Sequence, residues 1–449
     1  MEYLSDWETM AGISQEPWGL ARNELEQAAE TGRDVTALRA QLEGLTFRDD
    51  KALSELYAQI LAAPPPVEWP FFEGSRLDDI VSELPEKSAA VATPNRLEDR
   101  MNGAWFGRVI GNMMGKALEV GPTRAQIRSY LQSQDAYPLT DYVPFEEGAD
   151  LDNFGLQVRF FGADGATKGR IHGSIRDDDV DYTILGLHIL ETYGTSYTGR
   201  DIAHEWLSRF PAYQVYTAER ATYQNLVREI PFDAVGEHRN PYREWIGALI
   251  RADIFGYVAA GDPRRAALLA YNDAALSHRA NGVYGAMWAA ALVSSAFVAQ
   301  SPEESIVRSL EHVPPRSRMA LEIKTVLEDF RNGDSWEAAF DKLEARWSRM
   351  SFVHTINNAG ALTAAILWGG GDFALTAGLA AQSGLDTDSI GATAGSWAGA
   401  YLGYSALPQH LILPLEDRCR SGIFGFGESK ISDYARRTLA VMGKIEASQ

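Results

Sequence analysis

Two stretches of this chain gather carboxylates more densely than an ordinary loop. The first is Asp177-Asp178-Asp179-Val180-Asp181, and the second is Gly384-Leu385-Asp386-Thr387-Asp388-Ser389. Neighbouring carboxylates repel one another by roughly 1 kcal/mol per pair in water, and by more once partly buried. A bound divalent cation removes that cost. In the second stretch Asp386 and Asp388 flank a single residue. In a turn both can point the same way and, with the Ser389 hydroxyl, hold one hard cation. Each stretch also has a purely structural reading, since Asp and Ser are preferred helix N-caps and acidic turns are common in an acidic chain. Against this, Ile184, Leu185, Leu187 and Leu190 follow the first cluster and set it at the edge of a core. A third carboxylate, Glu119, ends the segment Gly111-Asn112-Met113-Met114-Gly115-Lys116-Ala117-Leu118-Glu119 and taken alone reads as a surface residue.

Helices must position these groups. Apolar-periodic segments at 182–193, 202–210, 266–276, 286–299, 359–368, 375–382 and 390–402 alternate with Gly, Pro and Asp punctuation. The expected class is therefore all-α, a compact multi-helix bundle. The exception is 157–173, where Val158-Arg159-Phe160-Phe161 could form a short strand or a loop. Gly103, Gly107, Gly111 and Gly115 are spaced by four, as are Gly391, Gly395, Gly399 and Gly403. On a helix each set forms one ridge without side chains. Each Gly costs about 0.8–1 kcal/mol of helix propensity relative to Ala. Close backbone approach is the compensating gain, which puts both helices at the centre of the bundle.

Residues 1–62 read as a small helical appendage carried by Leu20, Leu25, Leu38, Leu42, Leu45, Leu53, Leu56 and Ile60. Pro64-Pro65-Pro66 stops any helix, so 63–95 is expected to be an extended linker lying on the main body, which occupies 96–449.

Of the 449 residues, 45% are apolar and 23% charged, enough to bury a sizeable core. The formal net charge of -20 disfavours nucleic acid and anionic membrane as partners, because both would be repelled. Cys419 is the one cysteine, which rules out an intrachain disulfide or thiolate zinc site. Between Arg418 and Arg420 it reads as an incidental thiol ahead of a nucleophile. Acidic residues Glu2, Asp6 and Glu8 stand where a secretory leader would be basic and then apolar, and the apolar run 286–299 is too short to span a bilayer. The cytoplasm is the expected compartment.

In this order the three motifs resemble the ADP-ribosylglycohydrolase family over roughly residues 97–405. That family carries a Gly-Asp-x-Leu-Gly-x-x-x-Glu helix end, a Thr-Asp-Asp motif, and a Gly-x-Asp-Thr-Asp-[Thr/Ser] motif before a Gly/Ala-rich helix. His354-Thr355-Ile356-Asn357-Asn358 and Ser277-His278 also resemble family segments. The resemblance implies a two-metal site with Asp178, Asp179, Asp386, Asp388 and Ser389 as ligands. Asp177 stands where the family has Thr or Ser; it replaces a hydroxyl ligand with another oxygen and completes the expected metal set. A frame shifted by one would put Arg176 there and pair Asp177 with Asp178. Glu119, Asp178 and Asp179 are the expected catalytic carboxylates. Gly115, Asn358 and Gly384 are the expected substrate-binding positions. Two magnesium ions are expected, with manganese or calcium as alternatives by the same oxygen chemistry.

The implied activity is removal of ADP-ribose from a modified protein or small acceptor. The alternatives are hydrolysis of another ribosyl or nucleoside metabolite, or ADP-ribose binding without turnover. Asn112 in place of the usual Asp and Asp177 in place of a hydroxyl are departures that bear on metal and substrate. His278 and His354 read as structural histidines ahead of metal ligands. The segment Asn240-Pro241-Tyr242-Arg243-Glu244-Trp245-Ile246 reads equally as a stacking wall or as core, and Gly369-Gly370-Gly371-Asp372 as a helix terminator ahead of a phosphate cradle.

Overall fold

The computed structural model describes residues 17–86, 91–146, 148, 151–156 and 165–447. The two glycine ridges lie on the helices Leu97–Lys116 and Thr387–Leu402, except that Gly403, expected on the second ridge, ends that helix at φ +91. They run antiparallel and face each other. A Cβ on Gly103 would strike the carbonyl oxygen of Gly399, one on Gly107 that of Gly395, and one on Gly111 that of Gly391; each relation also holds in reverse. Glycine is required here because two backbones occupy the space of side chains.

Other helices wrap this pair. Ile431–Ala447 packs on the first glycine helix, Asn281–Ala296 and Thr355–Gly369 on the second, and Phe373–Ala381 on both. Every residue of Asn281–Ala296 is buried, as its apolar circumference requires. Trp105, Trp288 and Trp397 sit fully buried in the core around the pair. The fold is all-α. Among the described residues the sheet is a short antiparallel ribbon, β1 (Arg418–Arg420) and β2 (Glu428–Lys430), with Cys419 opposite Ser429. The expected strand or loop at Val158-Arg159-Phe160-Phe161 lies outside the described residues. No described helix is long and apolar enough to cross a membrane.

Helices Pro17–Glu30, Thr36–Glu43 and Asp50–Ala62 share a small core of their own built on Leu25, Leu53, Leu56 and Ile60. They dock on the main body through buried polar groups. Arg243 donates to Glu24 at 2.8 Å, and Gln27 to Glu244 at 2.7 Å. The following segment lies on the body, with Phe72 N–H donating to Arg316 O at 3.1 Å and Ala92 N–H to Gly261 O at 3.1 Å. It is not extended throughout: Leu77–Glu83 is a helix, pinned by the fully buried Ile80. A helix of seven residues is too short to show a period in sequence.

Candidate functional site

The antiparallel crossing carries the C-terminal end of the first glycine helix to the N-terminal end of the second. Thr387 Oγ1 donates to Gly115 O at 2.9 Å, fixing that junction. Gly384, at φ +73, turns the chain into the helix, and a Cβ there would strike the Arg124 backbone. Asp386 takes the N-cap position, yet its side chain makes no cap hydrogen bond. Its N–H donates to Asn358 Oδ1 at 3.1 Å. Asp386 and Asp388 are both buried, so carboxylates that do not cap are held out of water. The doubled-cap reading of this motif therefore leaves Asp386 unexplained.

Asp177 caps the helix Asp178–Tyr193, accepting from Asp179 N–H at 3.1 Å. The first glycine helix holds this turn by Arg108, Asn112 and Lys116. Fully buried Arg108 donates to Asp179 O at 2.6 Å and pairs with Asp253 at 2.5 Å. Asn112 Nδ2 donates to Asp177 Oδ1 at 3.1 Å, an amide orientation that follows from this network. The two aspartate turns meet where Ser389 Oγ donates to Asp179 Oδ2 at 3.3 Å. Carboxylate oxygens of Asp177, Asp179 and Asp388 lie within 4.8 Å of one another, as do those of Glu119, Asp386 and Asp388.

Lys116, the last residue of the first glycine helix, projects into this cluster. Its Nζ lies 2.6 Å from Glu119, 2.6 Å from Asp177 and 2.8 Å from Asp388. Burial acts to raise Asp177, but the Lys116 ammonium, the Asp179 hydrogen bond and the Arg176 charge together outweigh it and hold the carboxyl at about 2. Asp178 is pushed up to about 7 by burial, with the Asp177 charge adding to it. Burial, followed by the Asp388 charge, pushes Glu119, Asp179 and Asp386 well above the carboxylate range. A nearby cation reverses such shifts and keeps the groups ionised.

A divalent cation suits the donor set. The candidate ligands are all oxygens, as magnesium, manganese and calcium prefer. Asp179 Oδ1 is buried without a hydrogen-bond partner among the described residues. Lys116 counts against a second ion: a dication about 4 Å from an ammonium meets repulsion of about 8 kcal/mol at an effective dielectric of 20, which the shared carboxylates would have to offset.

Above the acids opens a cleft of about 390 Å³, walled by Tyr213, Tyr216, Trp245 and Phe352, with Arg176 and Arg220 also lining it. Glu119, Asp177, Asp178, Asp179, Asp386, Asp388 and Ser389 all face it. Of the aspartate triplet, Asp178 alone is partly exposed.

Gly115, Asn358 and Gly384 lie behind the cleft and do not line it. Gly115 sits against the Thr387 backbone, and Gly384 serves the turn. The Asn358 amide group also donates to Phe352 O at 2.7 Å and His354 O at 2.9 Å, so it braces the Asp386 turn. The aromatic segment divides: Trp245 and Ile246 line the cleft, while Tyr242 is buried against Trp245 at 4.8 Å between ring centroids. His278 Nδ1 bonds Ser277 Oγ at 2.8 Å, and His354 Nδ1 accepts from Ile356 N–H at 3.2 Å as a helix cap. Gly370, at φ +61, ends its helix, and Asp372 caps the next one. Burial pushes the Cys419 thiol up to about 12, which unfits it as a nucleophile.

Sequence reasoning passed over Lys116 and Arg108. For Lys116 a signal was present, a lone cation three residues before Glu119 at the end of a glycine-ridged helix. For Arg108 it was a charged residue inside that same helix, which must find a buried partner.

Comparison with known proteins adds the following. The family model described as ADP-ribosylglycohydrolase matches residues 93–445. No curated protein matches the chain. A solved structure titled "ADP-ribosylglycohydrolase-related protein complex" is similar at 19% identity and a TM-score of 0.49, covering 78% of this chain and 99% of that one.

Proposed function

The chain belongs to the ADP-ribosylglycohydrolase family, and from that premise we propose that it hydrolyses the bond between the anomeric carbon of an ADP-ribosyl group and a protein side chain or small acceptor. The observation that carries this reading is the meeting of two aspartate turns on the floor of an aromatic-walled cleft, with Ser389 Oγ 3.3 Å from Asp179 Oδ2. Tyr213, Tyr216, Trp245 and Phe352 offer faces on which adenine stacks. Arg176 and Arg220, in the same cleft, suit a diphosphate. Anchoring those remote parts supplies binding energy that sets the ribose over the acids.

Asp179, Asp386, Asp388 and Ser389 would hold a divalent cation, magnesium foremost, which when bound polarises ribose hydroxyls and water. Asp178 is the proposed base. It is partly exposed to the cleft and stands outside the proposed ligand set, where a bound cation nearby would keep it ionised and able to accept a proton. As the bond from the anomeric carbon to the acceptor atom breaks, water adds to the oxocarbenium-like carbon, Asp178 takes its proton, and the departing acceptor atom ends with a proton so that the base is restored. Glu119, tied to Lys116 at 2.6 Å, positions the floor of the cleft.

Lys116 favours a second reading, an ADP-ribose-binding homologue without turnover, because its ammonium offsets carboxylate charge without a metal. The test is a panel of ADP-ribosylated arginine and serine peptides together with free nucleosides, assayed with and without chelator. The expected result is release of ADP-ribose that stops in chelator and in Asp388→Ala, while the variant keeps a cooperative melt. Release of a base from the nucleosides alone would move the substrate to another ribosyl compound. Tight ADP-ribose binding with no release would establish the second reading, and full activity in excess chelator would end the metal-dependent one.

A further inference from the structure

Lys116 is held unlike a surface lysine. Its three contacts, Glu119, Asp177 and Asp388, come from the end of its own helix, from the aspartate turn and from the second glycine helix. These are the segments that a shared metal ion would tie together. An ammonium has three donors, one for each of these carboxylates. The side chain is only 15% exposed, so the pairing is enclosed.

The acids that Lys116 does not touch are different. Asp179 is 2% exposed, and its Oδ1 finds no hydrogen-bond donor. Asn112 Oδ1 is buried in the same condition. Asp386, which lines the same cleft, takes no cap bond. One half of the acidic cluster is thus satisfied by a cation belonging to the protein, and the other keeps an unpartnered oxygen at the site.

We propose that Lys116 is a built-in cation filling one of two cation positions, so that the site takes a single divalent ion on its Asp179–Asp386 side. The proposal rests on reading the acidic cluster as a cation site; it does not require that the protein hydrolyse anything. The fixed ammonium keeps Asp177 and Asp388 together when the exchangeable ion leaves.

The test is a count of bound ions. The full chain, stripped with chelator and dialysed, is titrated with Mn2+, which suits the same oxygen ligands. Stoichiometry is read by calorimetry and by elemental analysis. Wild type is expected to bind one ion and Lys116→Met, which keeps the stem without the charge, to bind two. Asp179→Asn is expected to lose the one ion that wild type holds. Two ions or none on wild type overturns the proposal, as does a folded Lys116→Met that binds one. Should Lys116→Met not fold, the wild-type count and Asp179→Asn decide. ADP-ribose release is not read, so failure of the hydrolase reading and failure of this proposal remain separate results.

Discussion

Gly107 and Gly395 meet backbone to backbone: a Cβ on either would overlap the carbonyl oxygen of the other. Overpacking a tight core costs about 1–3 kcal/mol, and here the obstacle is main chain, which cannot rotate away. Gly395→Ala should therefore lower stability by at least that much. It should also cut activity, because the same crossing sets Lys116 against Asp388. Gly443→Ala is the control, an exposed helical glycine with nothing near its missing Cβ. It should be neutral or stabilising by up to about 1 kcal/mol. Urea denaturation of both variants checks this; a Gly395→Ala midpoint equal to wild type would refute the close approach.

Asn112 donates to Asp177 at 3.1 Å from the first glycine helix. Asn112→Asp would replace that donor with another carboxylate beside Asp177 and Asp179. In chelator the variant should lose at least about 2 kcal/mol, combining a lost charge-assisted hydrogen bond with repulsion. Saturating magnesium should return much of it, since binding to the folded state alone stabilises by mass action. The reading is Tm with and without the ion. A gap no wider than in wild type would contradict the placement of Asn112.

His312 is fully buried and neither ring nitrogen has a hydrogen-bond partner among the described residues. Burial, with help from the Arg264 charge, lowers it from 6.5 to about 4. The unfolded chain then binds the proton more tightly than the folded one. Its contribution to stability is complete above 6.5 and is lost as pH falls toward 4. At about 1.4 kcal/mol per unit the loss is on the order of 3 kcal/mol. His312→Leu should flatten the acid limb between those limits, as read by denaturation at pH 7 and pH 4.5. An unchanged slope would show that His312 titrates normally.

Glu24 is 2% exposed and accepts from Arg243 at 2.8 and 3.0 Å and from the Tyr57 hydroxyl at 3.1 Å. Glu24→Ala leaves the Arg243 charge without its carboxylate. Breaking a buried pair costs about 3–5 kcal/mol, and the partial exposure of Arg243 reduces this to about 2–3 kcal/mol. Arg243 lies two residues before Trp245, which walls the cleft. KM should therefore rise more than kcat falls. Steady-state kinetics beside a melt would test the link, and a lower Tm with unchanged KM would confine the N-terminal helices to a stabilising role.

Much of the fold was legible because its cues are local. The four-residue glycine spacing announced two central helices with close backbone approach, the structure alone showed that they approach each other, and the punctuated apolar segments announced the all-α class. The helix Leu77–Glu83 was not legible, since its anchor is one residue, Ile80, meeting a surface far along the chain. Asn358 was expected at the substrate. Its position inside a recognisable motif said nothing about where its amide would point, and the packing of Thr355–Gly369 turned it toward Asp386.

The sequence by itself determined which groups are present: clustered Asp residues, each just ahead of a helix, and two glycine ridges able to cross. Only the tertiary structure decided which charges meet. A ridge permits an approach but does not state direction or register. The antiparallel register set Lys116 among carboxylates from positions 119, 177 and 388. Charge pairing acts through space, over a few ångströms, so a lysine that looks ordinary in the chain becomes a cation in the acidic site once the helices have packed.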